Sequence, residues 1–275
     1  MFVCTIYSAA FSLSEEVLKV IFPSTAVLRR FSACCRLHRP MALMAILLLA
    51  SLSGCRTKSF LSTRQEVNLG KEAARQVEQE YRVDTASPDA DRVRRVGQAL
   101  IDHMDKRDVP YTFKVIDGKD INAFSLPGGP VYVYRGLLDM MGDDDDALAC
   151  ILGHECGHVN GRHAARQISS QYATNLLLLA IPNPTAANLA SGAANLVSLK
   201  YSRDDEYEAD RRGMSYAHFA KYDPNGMIRF FGKLQRLEKR EGGNGPEWLL
   251  NHPVTRARID KAKMLIERND FRYGQ

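Results

Sequence analysis

DDDDALACILGHECGH, residues 143–158, decides both the fold and the chemistry. Four acids crowd its start, where the positive end of a helix dipole and the unpaired N–H groups of a first turn favour carboxylates. Calcium binding is the alternative use of such a run, and a helix start accounts for it more simply. Leu148, Ile151 and Leu152 then carry an apolar face into His154-Glu155-Cys156-Gly157-His158. Residues four apart on a helix lie about 40° apart around the axis and about one turn along it. His154 and His158 can therefore reach one zinc ion from unstrained rotamers. Glu155 is offset by about 100°, beside the metal rather than on it, where a general base must stand. The competing reading is two surface histidines that share a helix face by chance. Cys150 and Cys156 are too far apart along the helix for a disulfide and read as small buried hydrophobes.

A catalytic zinc takes three protein ligands and keeps one position open. The third should come from another helix, and Tyr201 to Asp210 supplies candidates. Glu206 and Asp210 are four apart and share a face, so one can bind the metal while the other supports a histidine from behind. Spacing alone does not choose between them. Glu208 lies about 200° from Glu206 and cannot share that role. His163, five residues beyond His158, points about 140° away on a continuous helix and reads as structural. His103 and His218 have no acidic-ligand context.

Around this centre, residues 66–82 and 88–107 show helical periodicity, with Val93, Val96, Leu100, Ile101 and Met104 on one stripe. Tyr111–Asp117, Ile121–Leu126 and Val131–Tyr134 read as strands, with a sharp break at Pro127-Gly128-Gly129-Pro130. Together they predict a small antiparallel sheet of about three strands. Residues 171–199 are apolar, interrupted by Pro182 and Pro184, and predict a helical excursion over the active site or onto a membrane surface. Further helices are expected over Tyr201–Phe219, Pro224–Arg240 and Val254–Glu267, with a glycine-rich loop at 242–245. The fold class is α+β: a mainly helical domain over 66–270 with a small antiparallel sheet.

The leader is separate. Residues 41–52, MALMAILLLASL, form an apolar run too short for a membrane span and suited to a signal-peptide core. Arg29, Arg30, Arg36 and Arg39 precede it, and Leu52-Ser53-Gly54-Cys55 follows. This resembles the bacterial lipobox, in which the cysteine is lipidated and becomes the mature N-terminus. An ordinary secretory signal with a chance cysteine is the alternative. Residues 1–54 are thus a leader, of which 1–26 fit a signal poorly and suggest a misassigned start. Residues 55–65 read as a tether. The chain has 275 residues, 45% hydrophobic and 25% charged, which is ordinary for a globular protein and excludes disorder. Its net charge of +5 arises largely in the leader; residues 55–275 carry 32 Lys and Arg against 30 Asp and Glu. That balance gives no electrostatic case for nucleic acid as a partner.

Four motifs in order resemble the HtpX-like and CAAX-prenyl-protease family of zinc metallopeptidases, family forty-eight of the metallopeptidases. They are Asn122-Ala123-Phe124-Ser125-Leu126-Pro127-Gly128-Gly129, His154–His158 with Gly161-Arg162-His163, Ser202-Arg203 with Glu206, Ala209 and Asp210, and His252-Pro253 with Arg258-Ile259. The soluble, periplasmic BepA-like lipoprotein branch is the most similar. Members with several membrane spans differ in that respect. The resemblance implies one zinc ion per chain held by His154, His158 and Glu206, with Asp210 as a catalytic acid or a support behind a ligand. A gluzincin binds an extended peptide along a sheet edge beside the zinc. By that resemblance, Asn122, Ala123, Phe124 and Ser125 contact substrate; an ordinary core strand is the alternative. The family's histidine at His252 can lie over the metal, either as a latch in the open position or as a donor to the oxyanion. Capping a helix is the third reading for His252. The implied function is a zinc endopeptidase of the bacterial envelope acting on unfolded or misassembled proteins. It would be lipid-anchored through Cys55, and the absence of aspartate after that cysteine favours the outer membrane. A zinc-bearing chaperone or assembly factor with latent protease activity is the alternative.

Overall fold

The computed structural model describes residues 59–105, 108–179, 196–197, 199–240 and 245–272. The leader, Cys55, residues 56–58 of the tether, residues 242–244 and most of the apolar stretch after 179 lie outside the described residues. The chain begins with α1 (Thr63–Glu80), started by a capping box in which Ser62 and Gln65 satisfy each other's backbone N–H groups. Strand β1 (Val83–Asp84) leads to α2 (Pro88–Ile101), which has Ser87 as N-cap and a proline in its first turn. Three strands follow: β2 (Thr112–Ile116), β3 (Ala123–Ser125) and β4 (Pro130–Tyr134). The remaining helices are α3 (Arg135–Met141), α4 (Asp145–Asn160), α5 (His163–Leu179), α6 (Arg203–Phe219), α7 (Asn225–Arg240), α8 (Glu247–Asn251) and α9 (Arg256–Glu267). Among the described residues, no helix is long and apolar enough to cross a membrane.

The sheet differs from the expectation in two ways. It has four strands rather than three, in the order β1-β2-β4-β3, and it is mixed. The glycine turn between β3 and β4 makes them an antiparallel hairpin, but β4 inserts between β3 and β2. That insertion makes β2 and β4 parallel. Strand β1, only two residues long, was too short to show alternation.

Strand β4 is buried on both faces because it is central. Val131 and Val133 join the larger core with Val93, Val96 and Leu100 of α2 and Leu148, Ile151 and Leu152 of α4. Tyr132 and Tyr134 face the other way, against Ala73 and Val77 of α1 and Phe124 of β3. The sheet is therefore covered by helix on both sides, and its edge strand β3 lies beside α4.

Helix α4 is the centre of the domain, with every residue from Ala147 to Asn160 buried. Asp144 caps it, accepting from the Ala147 N–H at 3.0 Å. The acid run is neutralised by arginines: Arg229 pairs with Asp144 and Asp146, and Arg92 and Arg95 pair with Asp145. Helix α6 lies against α4 along a seam of small residues. A Cβ on Gly213 would come within 2.5 Å of the His154 backbone nitrogen. One on Gly157 would come within 2.9 Å of the Ala209 Cα. Only this close approach brings the acids of α6 to the histidines of α4.

Candidate active site

His154 and His158 project from α4 toward Glu206 of α6 and His252, which follows α8; all four are buried. His158 Nε2 lies 3.0 Å from His154 Nε2, and His252 Nδ1 lies 3.3 Å from the same atom. Glu206 Oε1 is 2.9 Å from His252 Nδ1 and 3.5 Å from His158 Nε2, and Glu206 Oε2 is 3.7 Å from His154 Nε2. Asp210 stands on the opposite side of the His154 ring, its Oδ1 2.9 Å from Nδ1. The geometry thus separates the two acids that spacing left equivalent. Glu206 faces the convergence point, and Asp210 supports a histidine from behind.

These residues fit a zinc ion. Asp210 as a carboxylate can only accept, so the contact calls for a proton on His154 Nδ1, while Nε2 faces two other ring nitrogens. Lone pairs and a carboxylate converging in a buried space suit a cation. Donors about 2.0–2.1 Å from a tetrahedral zinc are separated from one another by about 3.3 Å, which the observed spacings bracket. His154, His158, Glu206 and His252 would hold it.

Around the donors, charge is managed by Arg258, which is 2% exposed. Its Nε donates to Asp210 Oδ2 at 2.7 Å and its Nη2 to Oδ1 at 2.6 Å, while Nη1 lies 2.6 Å from Glu206 Oε2. Its guanidinium sits 5.0 Å from the Phe231 ring centre and 5.4 Å from that of Trp248. Burial pushes the Asp210 carboxyl up, and Arg258 beside it overcomes that, holding it down at about 2. Glu206 is likewise held below its ordinary value against the effect of burial, by His252 and Arg258. Burial pushes Glu155 the other way, above the usual carboxylate range, with His252 and His154 opposing. Burial and the neighbouring imidazoles hold His158 well below the ordinary histidine value.

Glu155 Oε2 accepts from Ser125 Oγ at 3.0 Å, and its Oε1 is buried without a hydrogen-bond partner among the described residues. Among the described residues, strand β3 pairs with β4 on one side only. Tyr134 N–H donates to Asn122 O, and Leu126 N–H donates to Pro130 O. The alternation of an antiparallel pair therefore turns the backbone groups of Ala123 and Ser125 to the open edge. There the Ala123 N–H is met by Asn122 Oδ1 at 2.9 Å. The Phe124 side chain points to the α1 side, stacked on Tyr132.

Two positions differ from the expectation. His252 does not begin the last helix; it ends α8, its N–H donating to Trp248 O at 2.8 Å, and α9 starts later with Thr255 as its cap. His163 does not point away from the centre; its Nδ1 lies 2.8 Å from His158 Nδ1. The helix stops at Asn160, and Arg162 takes a left-handed backbone with φ 57°, so α5 starts in a new direction. Glu66 of α1 holds Arg162 in that turn, accepting from its Nε at 2.6 Å. Arg258 was visible only as part of a motif, because a buried arginine acquires a role only through partners remote in sequence.

A buried pair of histidines on one helix, a glutamate from a second and another glutamate beside the first histidine form the arrangement of a zincin-type metallopeptidase. The chain belongs to Peptidase family M48, whose pattern matches residues 87–266. The beta-barrel assembly-enhancing protease of Escherichia coli (strain K12) is 29% identical over 225 residues, covering 76% of this chain and 45% of that protein. Metalloprotease LoiP of the same organism is 27% identical over 206 residues, 72% of this chain and 79% of LoiP. The mitochondrial metalloendopeptidase OMA1 of Schizosaccharomyces pombe (strain 972 / ATCC 24843) is 30% identical over 204 residues, 71% of this chain and 59% of OMA1. The chain spans about half the length of the beta-barrel assembly-enhancing protease that it matches.

Proposed function

We propose that this protein is a zinc-dependent endopeptidase of the bacterial envelope that cleaves unfolded or misassembled proteins. The observation that carries the reading is the convergence of His154, His158 and Glu206 with Glu155 at their side. When bound, zinc supplies Lewis acidity at the scissile carbonyl and acidifies the attacking water. Glu155 takes the proton from that water and later delivers it to the leaving amine; its raised proton affinity suits both transfers. The edge of β3 away from β4 carries the backbone of Ser125 and the carbonyl of Ala123, to which an extended substrate segment could add as a strand, a mode that selects for unfolded chains. Asn122 and Phe124 hold that strand in place. Asp210 orients His154 and takes no proton itself.

The envelope assignment is supported by the lipobox-like Leu52-Ser53-Gly54-Cys55 and by the names of the bacterial relatives. In this reading residues 1–54 are removed, Cys55 carries the lipid in the periplasmic leaflet of the outer membrane, and 66–270 is the catalytic domain. Mass spectrometry of the mature chain should find an acylated Cys55 at its N-terminus, and another N-terminus refutes the anchor.

The test of activity is cleavage of a urea-unfolded outer-membrane protein by the full chain, with and without a chelator. Cleavage lost on chelation and restored by zinc is expected; chelator-insensitive cleavage refutes the mechanism. A second reading, an assembly factor with latent protease activity, is favoured by His252 standing among the donors. Client folding assisted equally by wild type and Glu155→Gln would decide for it.

A further inference from the structure

The reaction scheme leaves one buried imidazole unused. His163 is 1% exposed, and its Nδ1 lies 2.8 Å from Nδ1 of His158, the two rings edge to face. Its Nε2 lies 3.6 Å from Asp205 Oδ1 and 3.5 Å from Glu208 Oε2, both on α6. Arg166 pairs with Asp205, and Arg212 pairs with Glu208. These arginines already balance the carboxylates, which makes the group a support rather than a second cation site.

Two ring nitrogens at this separation share one proton, and the proposed role of His158 fixes its owner. A neutral His158 that presents Nε2 to the metal keeps its proton on Nδ1 and must donate it. His163 Nδ1 then accepts, and the proton of His163 sits on Nε2, turned toward Asp205 and Glu208.

We propose that His163 is a positioning residue of the metal centre. It accepts the Nδ1–H of His158, fixes the tautomer and orientation of that ring, and is itself oriented by the two carboxylates. The proposal rests on His158 being a metal ligand. It makes the two ligand histidines of α4 unlike. His154 is backed by an anion, Asp210, clamped by Arg258, whereas His158 is backed by a neutral ring. Partners of this kind hold a ligand ring in the one orientation that meets the metal.

The test has two arms on the full chain. Nitrogen-15 NMR of the histidine rings in the zinc-loaded wild type should show His158 protonated on Nδ1 and His163 protonated on Nε2 alone. A proton on His163 Nδ1 reverses the bond and overturns the proposal. In the second arm, competition with a chromophoric chelator measures zinc affinity. His163→Phe, which keeps the volume and removes the acceptor, should weaken zinc about 10–100-fold. His163→Gln, whose amide oxygen can accept from His158, should recover most of that loss. Equal affinity in all three proteins overturns the proposal while leaving the metal site intact. If His163→Phe does not fold, the wild-type spectrum decides alone. A wild type that binds no zinc refutes the reading of the site itself, and this inference with it.

Discussion

Ser125 of the edge strand donates from Oγ to Glu155 Oε2 at 3.0 Å, so the strand offered to substrate also orients the proposed base. The contact leaves Glu155 Oε1 without a hydrogen-bond partner among the described residues, 3.8 Å from His252 Nε2. Glu155→Gln should keep the zinc and the fold, because the residue is beside the donors and not among them. Peptide hydrolysis should fall by about 10²–10⁴, the usual worth of positioned proton transfer. Turnover within tenfold of wild type, measured on a fluorogenic peptide, would remove Glu155 from the mechanism.

The seam between α4 and α6 makes a second prediction. Gly213 has no room for a methyl group, and the nearest atom is backbone that cannot rotate aside. Gly213→Ala should push the helices apart and cost about 1–3 kcal/mol, the range for overpacking a close-packed interior. Because Glu206 and Asp210 ride on the displaced helix, zinc should be lost along with stability. Urea unfolding and elemental analysis check both, and normal values in each would show that the seam can yield.

Asp210 and Arg258 predict an acid limit. The Asp210 carboxyl is depressed from 3.8 to about 2 in the folded protein. A depressed carboxyl contributes stability that is present above its unfolded value and lost as pH falls through its folded one. The stability of the chelated protein should therefore hold from neutral pH down to about 4 and decline between about 4 and 2. Asp210→Asn should be less stable at neutral pH, since Arg258 loses a buried partner, and should decline less across that window. Parallel pH profiles for the two proteins would show that the pair is not the titrating element.

Much of this site was legible because it depends on helical geometry alone. The spacing of His154 and His158 requires one face, and the acids at 143–146 mark the start of the helix that carries them. What required the structure were relationships between elements. The order β1-β2-β4-β3 depends on which strands find each other, and alternation within a strand carries no trace of that. Glu206 and Asp210 share a face, so only the position of α4 against α6 distinguishes them. Helical spacing does not find His163, because the helix ends at Asn160 and nothing local announces the left-handed backbone of Arg162. Gly153 and Gly157 on one helix, with Ala209 and Gly213 on another, are small residues four apart. That pattern marks a close helix contact.

The donor geometry also bears on His252. Its Nδ1 is within 2.9 Å of Glu206 and 3.3 Å of His154, in the place of a fourth ligand, and its ring is stacked on Trp248. Four protein donors close a zinc site and leave no position for water. A histidine held there as a fourth ligand would act as a latch that must swing aside before catalysis. Arg258 Nη1 donates to Pro253 O at 3.1 Å and anchors the segment that carries His252, so swinging aside would have to break that contact and the stacking on Trp248. His252→Ala should therefore raise basal proteolysis of an unfolded substrate while lowering zinc affinity, because a ligand is lost as the open position appears. A fall in activity at saturating zinc would instead make His252 a donor to the oxyanion. Unchanged activity and unchanged zinc affinity together would reduce it to the residue that ends α8.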